Sequence, residues 1–270
     1  MKLTLPFYGF FLLIAFGLQS CDFVGTQREA SSATQKMAQT SAMRARVAVA
    51  SNFINPMKEL ISAFEKQTSY QIVVSYSASG KLYAQIINGA PFHLFLSADQ
   101  AKPSAIVENN RGTNSHRFTY AIGQLVLWSA NNQLIDNSPK VLEQLNFRKL
   151  ALANPKFAPY GQAAVDVLEK LDLMAKSKPK WVMGESITQA FQFTATGNAD
   201  LGFISFSQKP KHGSYWVIPE SLYTPIKQDV ILLNNGKENT AAVAFFEYLK
   251  SNEAKNIIQS HHYKVAREAN

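Results

Sequence analysis

The sequence predicts an α/β fold with mainly parallel sheets flanked by helices, and three observations carry that expectation. Short apolar runs of strand length alternate along the chain with segments whose apolar residues recur at helical spacing. Four short polar segments, Ala50-Ser51-Asn52, Ser77-Ala78-Ser79-Gly80, Ala158-Pro159-Tyr160-Gly161 and Glu185-Ser186-Ile187, each stand just before a helical pattern. The apolar stretch Tyr120 to Trp128, with Gly123 inside it, is long enough to leave one domain and enter a second.

The elements follow in chain order. Residues 1–20 open with Met1-Lys2 and run through an apolar stretch from Leu3 to Leu18, short for a membrane span of roughly 20 residues and laid out like an export signal. Leu18-Gln19-Ser20-Cys21 then resembles a lipobox, in which the cysteine is lipidated and becomes the new N-terminus; Gln19 departs from its usual small or aliphatic residue. Cys21 is the only cysteine, so it has no disulfide partner in the chain. Acyl chains gain about 0.8 kcal/mol per buried CH2, and several on Cys21 would tether the protein to a membrane without spanning it. Residues 21–45 are rich in Ser, Thr, Gln and Ala without apolar period and read as a flexible, lipid-anchored linker.

Arg46 to Ala50 reads as a buried strand, followed by a helix with Asn55 as N-cap, Pro56 at its first position and Met57, Leu60, Ile61 and Phe64 on one face. Gln71 to Ser75 is the next strand, and Leu82, Tyr83 and Ile86 mark a short helix stopped by Asn88-Gly89. His93 to Ala98 is a further strand before the Tyr120–Trp128 crossing. The alternation then repeats: a strand at Lys149 to Ala153, a helix from Gly161 with Ala164, Val167, Leu168 and Leu171 inward, and a helix begun by Ile187, Ala190 and Phe191 and closed by Gly197. A buried strand at Asp200 to Phe206 and another at Asp229 to Leu233 precede a last helix, capped by Asn239, with Ala242, Phe245, Phe246 and Leu249 inward. Ligands bind at the C-terminal ends of strands in such sheets.

Those strand ends carry the polar segments. A helix start offers unpaired N–H groups and a partial positive charge, so several aimed at one point make an anion site without charged side chains. No carboxylate stands ready to accept a proton, which favours fully deprotonated oxyanions. Glu185 is expected to point outward over its helix start, and Lys81 to be solvated.

Other functions find little support. The net charge is +8, but the basic residues are scattered, without the aromatic-basic stripe or Cys/His spacing of nucleic-acid binders. His93, His116, His212 and His261-His262 match no ligand spacing. Neither a Gly-x-Ser-x-Gly elbow nor a phosphate loop is present, so no catalysis and no cofactor are expected.

Between Arg46 and Tyr263 the sequence resembles the periplasmic molybdate-binding proteins of ABC importers. The resemblance lies in Val47-Ala48-Val49-Ala50-Ser51-Asn52-Phe53, Tyr83 to Pro91, Leu96-Ser97-Ala98-Asp99, Asn154-Pro155 with Ala158-Pro159-Tyr160-Gly161, and Ala199-Asp200-Leu201-Gly202-Phe203. It implies a two-lobed periplasmic-binding-protein type II fold with the anion in the interlobe cleft. Lobe 1 would comprise residues 46–124 and 226–270, and lobe 2 residues 125–225. The resemblance places the ligand residues at Ser51, Asn52, Ser79, Tyr160 and the amide of Ile187, with molybdenum held only as its oxyanion. Another site type in the family has a tyrosine after the Gly-Phe-Ile strand, where this chain has Ser205-Phe206, leaving Ser205 without a role. The implied protein is a monomer that captures molybdate or tungstate outside the cytoplasmic membrane and delivers it to an ABC permease. A sulfate or other oxyanion carrier, an anion sensor with a signalling partner and an exported enzyme are the alternatives.

Overall fold

The structure is a computed structural model and describes residues 43–265. The expected export signal at 1–20, Cys21, most of the expected linker and residues 266–270 lie outside the described residues. Among the described residues no helix is long and apolar enough to cross a membrane.

The first half of the chain runs β1 (Arg44–Ala50), α1 (Ile54–Gln67), β2 (Gln71–Ser77), α2 (Ser79–Ile87), β3 (Leu94–Leu96), α3 (Ala101–Glu108) and β4 (Gly112–Gly123). The second lobe follows with β5 (Leu125–Ser129), α4 (Lys140–Glu143), β6 (Leu150–Ala153), α5 (Pro159–Lys170), α6 (Met174–Ser177), β7 (Trp181–Gly184), α7 (Ile187–Ala195), β8 (Leu201–Ser205) and β9 (Ser214–Val217). The chain then returns through β10 (Ile226–Leu233), α8 (Thr240–Tyr248) and α9 (Asn252–Ser260).

Two five-stranded sheets result, ordered β2-β1-β3-β10-β4 and β7-β6-β8-β5-β9. Each is mixed: β2, β1 and β3 run parallel, as do β7, β6 and β8, while β10, β4, β5 and β9 join antiparallel. The expectation of mainly parallel sheets therefore holds for three strands of each sheet. Only β10, which brings the chain back into the first sheet, and β5, which carries it into the second, run against the rest; β4 and β9, antiparallel to these neighbours, run with the other three strands of their sheets.

Burial explains why β1 reads as an unbroken apolar run, since helices cover both of its faces. On one face Phe53, Met57, Leu60 and Phe64 of α1 and the preceding turn meet Ala242, Phe245 and Phe246 of α8. On the other, Leu82 and Ile86 of α2 and Ile106 of α3 pack on Ala48, Phe95 and Ile231. In the second lobe α5 covers one face of its sheet through Ala164, Val167 and Leu168, and Ala190 of α7 packs on Ala151 on the other.

Several boundaries differ from expectation. The single strand Tyr120–Trp128 is two strands, β4 beginning as early as Gly112 and β5 starting after a break at Gln124. β1 begins at Arg44, where it pairs with Gln71, inside the expected linker. Asn55 is not an N-cap: a 3-10 turn at Ser51–Phe53 leads directly into α1, and the Asn55 amide instead donates to the Ser207 carbonyl at 2.8 Å. Helices α3, α4, α6 and α9 and strands β7 and β9 have no counterpart in the sequence reading. β7 is half-exposed and α9 largely polar, so neither stands out as an apolar run.

Candidate functional site

The C-terminal ends of β1, β2, β3, β6 and β7 converge between the sheets. There Ala50, Ser51, Asn52, Ala78, Ser79 and Ala98 of lobe 1 and Ala158, Pro159, Tyr160 and Ile187 of lobe 2 line one small cavity. The structure thus brings together all five residues expected at the site. Its lining holds no charged side chain.

The helix starts around this cavity are left open on its side. No side chain caps the turn at Ser51, α2 or α5, whose N-cap positions are Ala50, Ala78 and Ala158. Ser186 caps α7, but it accepts from Gln189 and leaves the Ile187 N–H alone. In consequence the N–H groups of Asn52, Ser79, Tyr160 and Ile187 have no acceptor among the described residues, while the Ser51 N–H closes the β1–β2 ladder on Ser77. Uncapped amides and three converging helix dipoles make the cavity electropositive without a cation.

Close backbone approach sets this geometry. A Cβ on Gly161 would lie 2.2 Å from the Ala153 carbonyl oxygen, so only glycine lets α5 start against the end of β6. Gly80 does the same between lobes: its N–H donates to the Phe157 carbonyl at 2.9 Å, and a Cβ there would sit 3.1 Å from the Phe157 Cα.

The hydroxyls differ in their readiness to donate. Ser79 Oγ accepts the Ala98 N–H at 2.9 Å, which turns its proton toward other acceptors. The Ser51 hydroxyl has no hydrogen-bond partner among the described residues, while its carbonyl accepts from Thr188 Oγ1 at 3.1 Å and Gln208 Nε2 at 3.2 Å across the cleft. The Tyr160 hydroxyl is turned away from solvent into a buried network, accepting from Ser205 Oγ at 3.1 Å and Gln228 Nε2 at 3.3 Å. Burial, and then the neighbouring Tyr263, push its pKa well above 10, so it stays protonated. The Ile187 side chain is packed in the core, leaving its amide as the polar group at the site.

Sequence reasoning missed the groups behind the cavity. Gln228 on β10 is fully buried and accepts from Asn52 Nδ2 at 2.9 Å and from Tyr120 OH at 3.1 Å. Tyr263 accepts from Asn52 Nδ2 at 2.9 Å and donates to the Asn52 carbonyl at 2.9 Å. Ser205, without a role in the sequence reading, orients Tyr160 and lies 3.4 Å from Tyr263 OH. Gln228 stands in the polar run Lys227-Gln228-Asp229 ahead of the apolar part of β10, so nothing local marks it as buried. Gly123 is required where the lobes cross, because the Tyr160 hydroxyl lies 2.1 Å from where its Cβ would be.

Glu185 lies outside the cavity, as expected, and forms an ion pair with Lys81 across the cleft rim. Lys81 is therefore paired and not merely solvated. His261 meets Glu59 and His262 stacks on Phe206 with ring centroids 4.2 Å apart, so the two point apart. Among the described residues no cluster of His, Cys, Asp or Glu could hold a metal ion.

Comparison with known proteins agrees in extent with this fold. Residues 45–264 match the family described as bacterial extracellular solute-binding protein. The chain is 47% identical over 227 residues to the molybdate-binding protein ModA of Azotobacter vinelandii, covering 82% of this chain and 90% of that one. It is 44% identical over 218 residues to the ModA of Rhodobacter capsulatus, covering 80% and 86% respectively. Among solved structures, the Azotobacter vinelandii periplasmic molybdate-binding protein superposes with a TM-score of 0.80 at 38% identity, covering 83% of this chain and all of that one.

Proposed function

The chain belongs to the family of bacterial extracellular solute-binding proteins, and on that premise we propose that it is the substrate-binding component of a molybdate importer of the ABC type. It binds the tetrahedral dianion in the cleft, takes tungstate by the same contacts, and presents it to a permease in the cytoplasmic membrane. It catalyses no reaction. Cys21 anchors it on the outer face of that membrane, which raises its concentration at the permease.

One observation carries the reading: a neutral cavity closed by two lobes, in which unpaired amides and hydroxyls outnumber acceptors. Ser51, Ser79 and the Asn52 amide donate from lobe 1, and the Tyr160 and Ile187 amides from lobe 2. Each donor is worth more here than in water, because the enclosed site has a low effective dielectric. Both lobes must contribute at once, so the anion favours the closed state. Hydrogen phosphate carries a proton that needs an acceptor, and the lining has no carboxylate to supply one.

Calorimetric titration with molybdate, tungstate, sulfate and phosphate tests the assignment. Tight binding of the first two and weak or no binding of phosphate is expected; heat from sulfate alone overturns it.

A further inference from the structure

Asn52 lines the cavity, yet both hydrogens of its carboxamide are engaged behind it, Nδ2 donating to Gln228 Oε1 and to Tyr263 OH at 2.9 Å each. Its Oδ1 accepts no hydrogen bond among the described residues. It is not among the fully enclosed polar atoms that lack a partner, which leaves it open to the cavity that Asn52 lines, and an acceptor there opposes an anion. Gln228 is bound in the complementary sense: Oε1 accepts from Asn52 and from Tyr120 OH, and Nε2 donates to Tyr160 OH at 3.3 Å.

We propose that Asn52 and Gln228 form a coupled amide switch, in which both carboxamides turn over together when the anion enters. Gln228 is the positioning residue that decides whether Asn52 offers the cavity an acceptor or a donor. The inference rests on the anion-binding reading above.

The hydrogen bonds remain balanced after the turn. Gln228 Nε2 takes the place of Oε1 and donates to Asn52 Oδ1 and to Tyr120 OH. Tyr120 OH turns its own proton from Gln228 onto the Ser97 carbonyl, 3.2 Å away. Tyr160 O–H then donates to Gln228 Oε1 while still accepting from Ser205 Oγ. Tyr263 O–H donates to the Asn52 carbonyl or Oδ1, both of which lie on its side. The hydroxyls of Tyr120, Tyr160 and Tyr263 permit this because a hydroxyl serves as donor or acceptor by rotating one hydrogen. Asn52 Nδ2 is freed to face the anion. Neither amide can turn alone, since two oxygens or two NH2 groups would then face each other in a buried site.

Side-chain amide NMR on the purified protein, with and without molybdate, tests this. Without anion, the Asn52 carboxamide hydrogens should show through-space contacts to the Tyr263 ring and those of Gln228 to the Tyr160 ring. With molybdate, the Asn52 contacts to Tyr263 should vanish and the Gln228 hydrogens should move to the Tyr120 ring. Asn52 hydrogens that stay against Tyr263 while molybdate binds with measurable heat overturn the switch and leave the function standing. If sulfate alone gives heat, the molybdate reading falls, and the sulfate-bound spectra decide the switch in the same way. If no oxyanion gives heat, both fall. Gln228→Met, similar in shape but without the amide, should bind molybdate about 10- to 100-fold more weakly. Affinity unchanged in that variant counts against the switch, and the spectra of the unaltered protein decide the matter whether or not the variant folds.

Discussion

Ser79 shows how a single residue acquires a direction. Its oxygen is held by the Ala98 N–H, which leaves its proton free for an acceptor in the cavity that Ser79 lines. Ser79→Ala should therefore weaken molybdate binding by about 10- to 100-fold, the range for a hydrogen bond to a charged group. Ile187→Val keeps its amide and should change affinity little; equal losses in titration calorimetry would count against these roles. Gly80→Ala places a methyl group 3.1 Å from the Phe157 backbone and should oppose closure, lowering affinity several-fold with an unchanged melting point of the anion-free protein. The serines and glycines were legible in the sequence, because each follows a strand and precedes a helical pattern. Which atom of Asn52 or Tyr160 faces the cavity was not, since it depends on Gln228 and Tyr263, far away along the chain.

Helices of two kinds share the fold. Two that start away from the cleft, α8 and α9, are capped: Asn239 Oδ1 accepts from Ala242 at 2.8 Å and Ser251 Oγ from Ala254 at 3.1 Å. Of the three that start at the cavity, α2 and α5 have alanine at the N-cap and no side-chain cap, and α7 is capped by Ser186 on Gln189 with the Ile187 N–H left alone. A cap there would consume the amides that the proposed anion site offers, so on that proposal stability is given up where binding gains. Asn239→Ala should cost about 1–2 kcal/mol and lower the melting temperature by several degrees, without affecting molybdate affinity in calorimetry. The sequence pattern located these helices because apolar spacing survives in α1, α2, α5, α7 and α8. It missed α3, α4, α6 and α9, short helices that bury few residues.

The two lobes meet through contacts of unequal kind. Thr188, Gln208 and Ser207 donate to the carbonyls of Ser51 and Asn52, Gly80 donates to Phe157, and Lys81 pairs with Glu185 at the rim. The ion pair is exposed, with Glu185 73% accessible, so it should contribute little. Lys81→Met should weaken binding no more than about fivefold, chiefly by faster release, with the difference fading at high salt in stopped-flow measurements. Behind the cleft, burial raises the pKa of Tyr120, Tyr160 and Tyr263 above the ordinary tyrosine value near 10. The unfolded chain releases these protons first, so stability is unaffected below about pH 9 and falls as pH rises through 10. Urea unfolding at pH 8 and pH 11 checks this, and Tyr263→Phe should lessen the loss.

Taken alone, the sequence determined the alternation of strands and helices, the place where the chain crosses between lobes, and the polar turns that gather at the cavity. These are local matters, written in apolar period and in the residues allowed at helix starts. Only the tertiary structure decided the antiparallel placing of the crossing strands, the pairing of Lys81 with Glu185, and the buried network that ties Asn52 and Tyr160 to Gln228 and Tyr263. Those depend on groups up to 211 positions apart meeting in one dry space, where each hydrogen bond is chosen by what else is near and not by its neighbours along the chain.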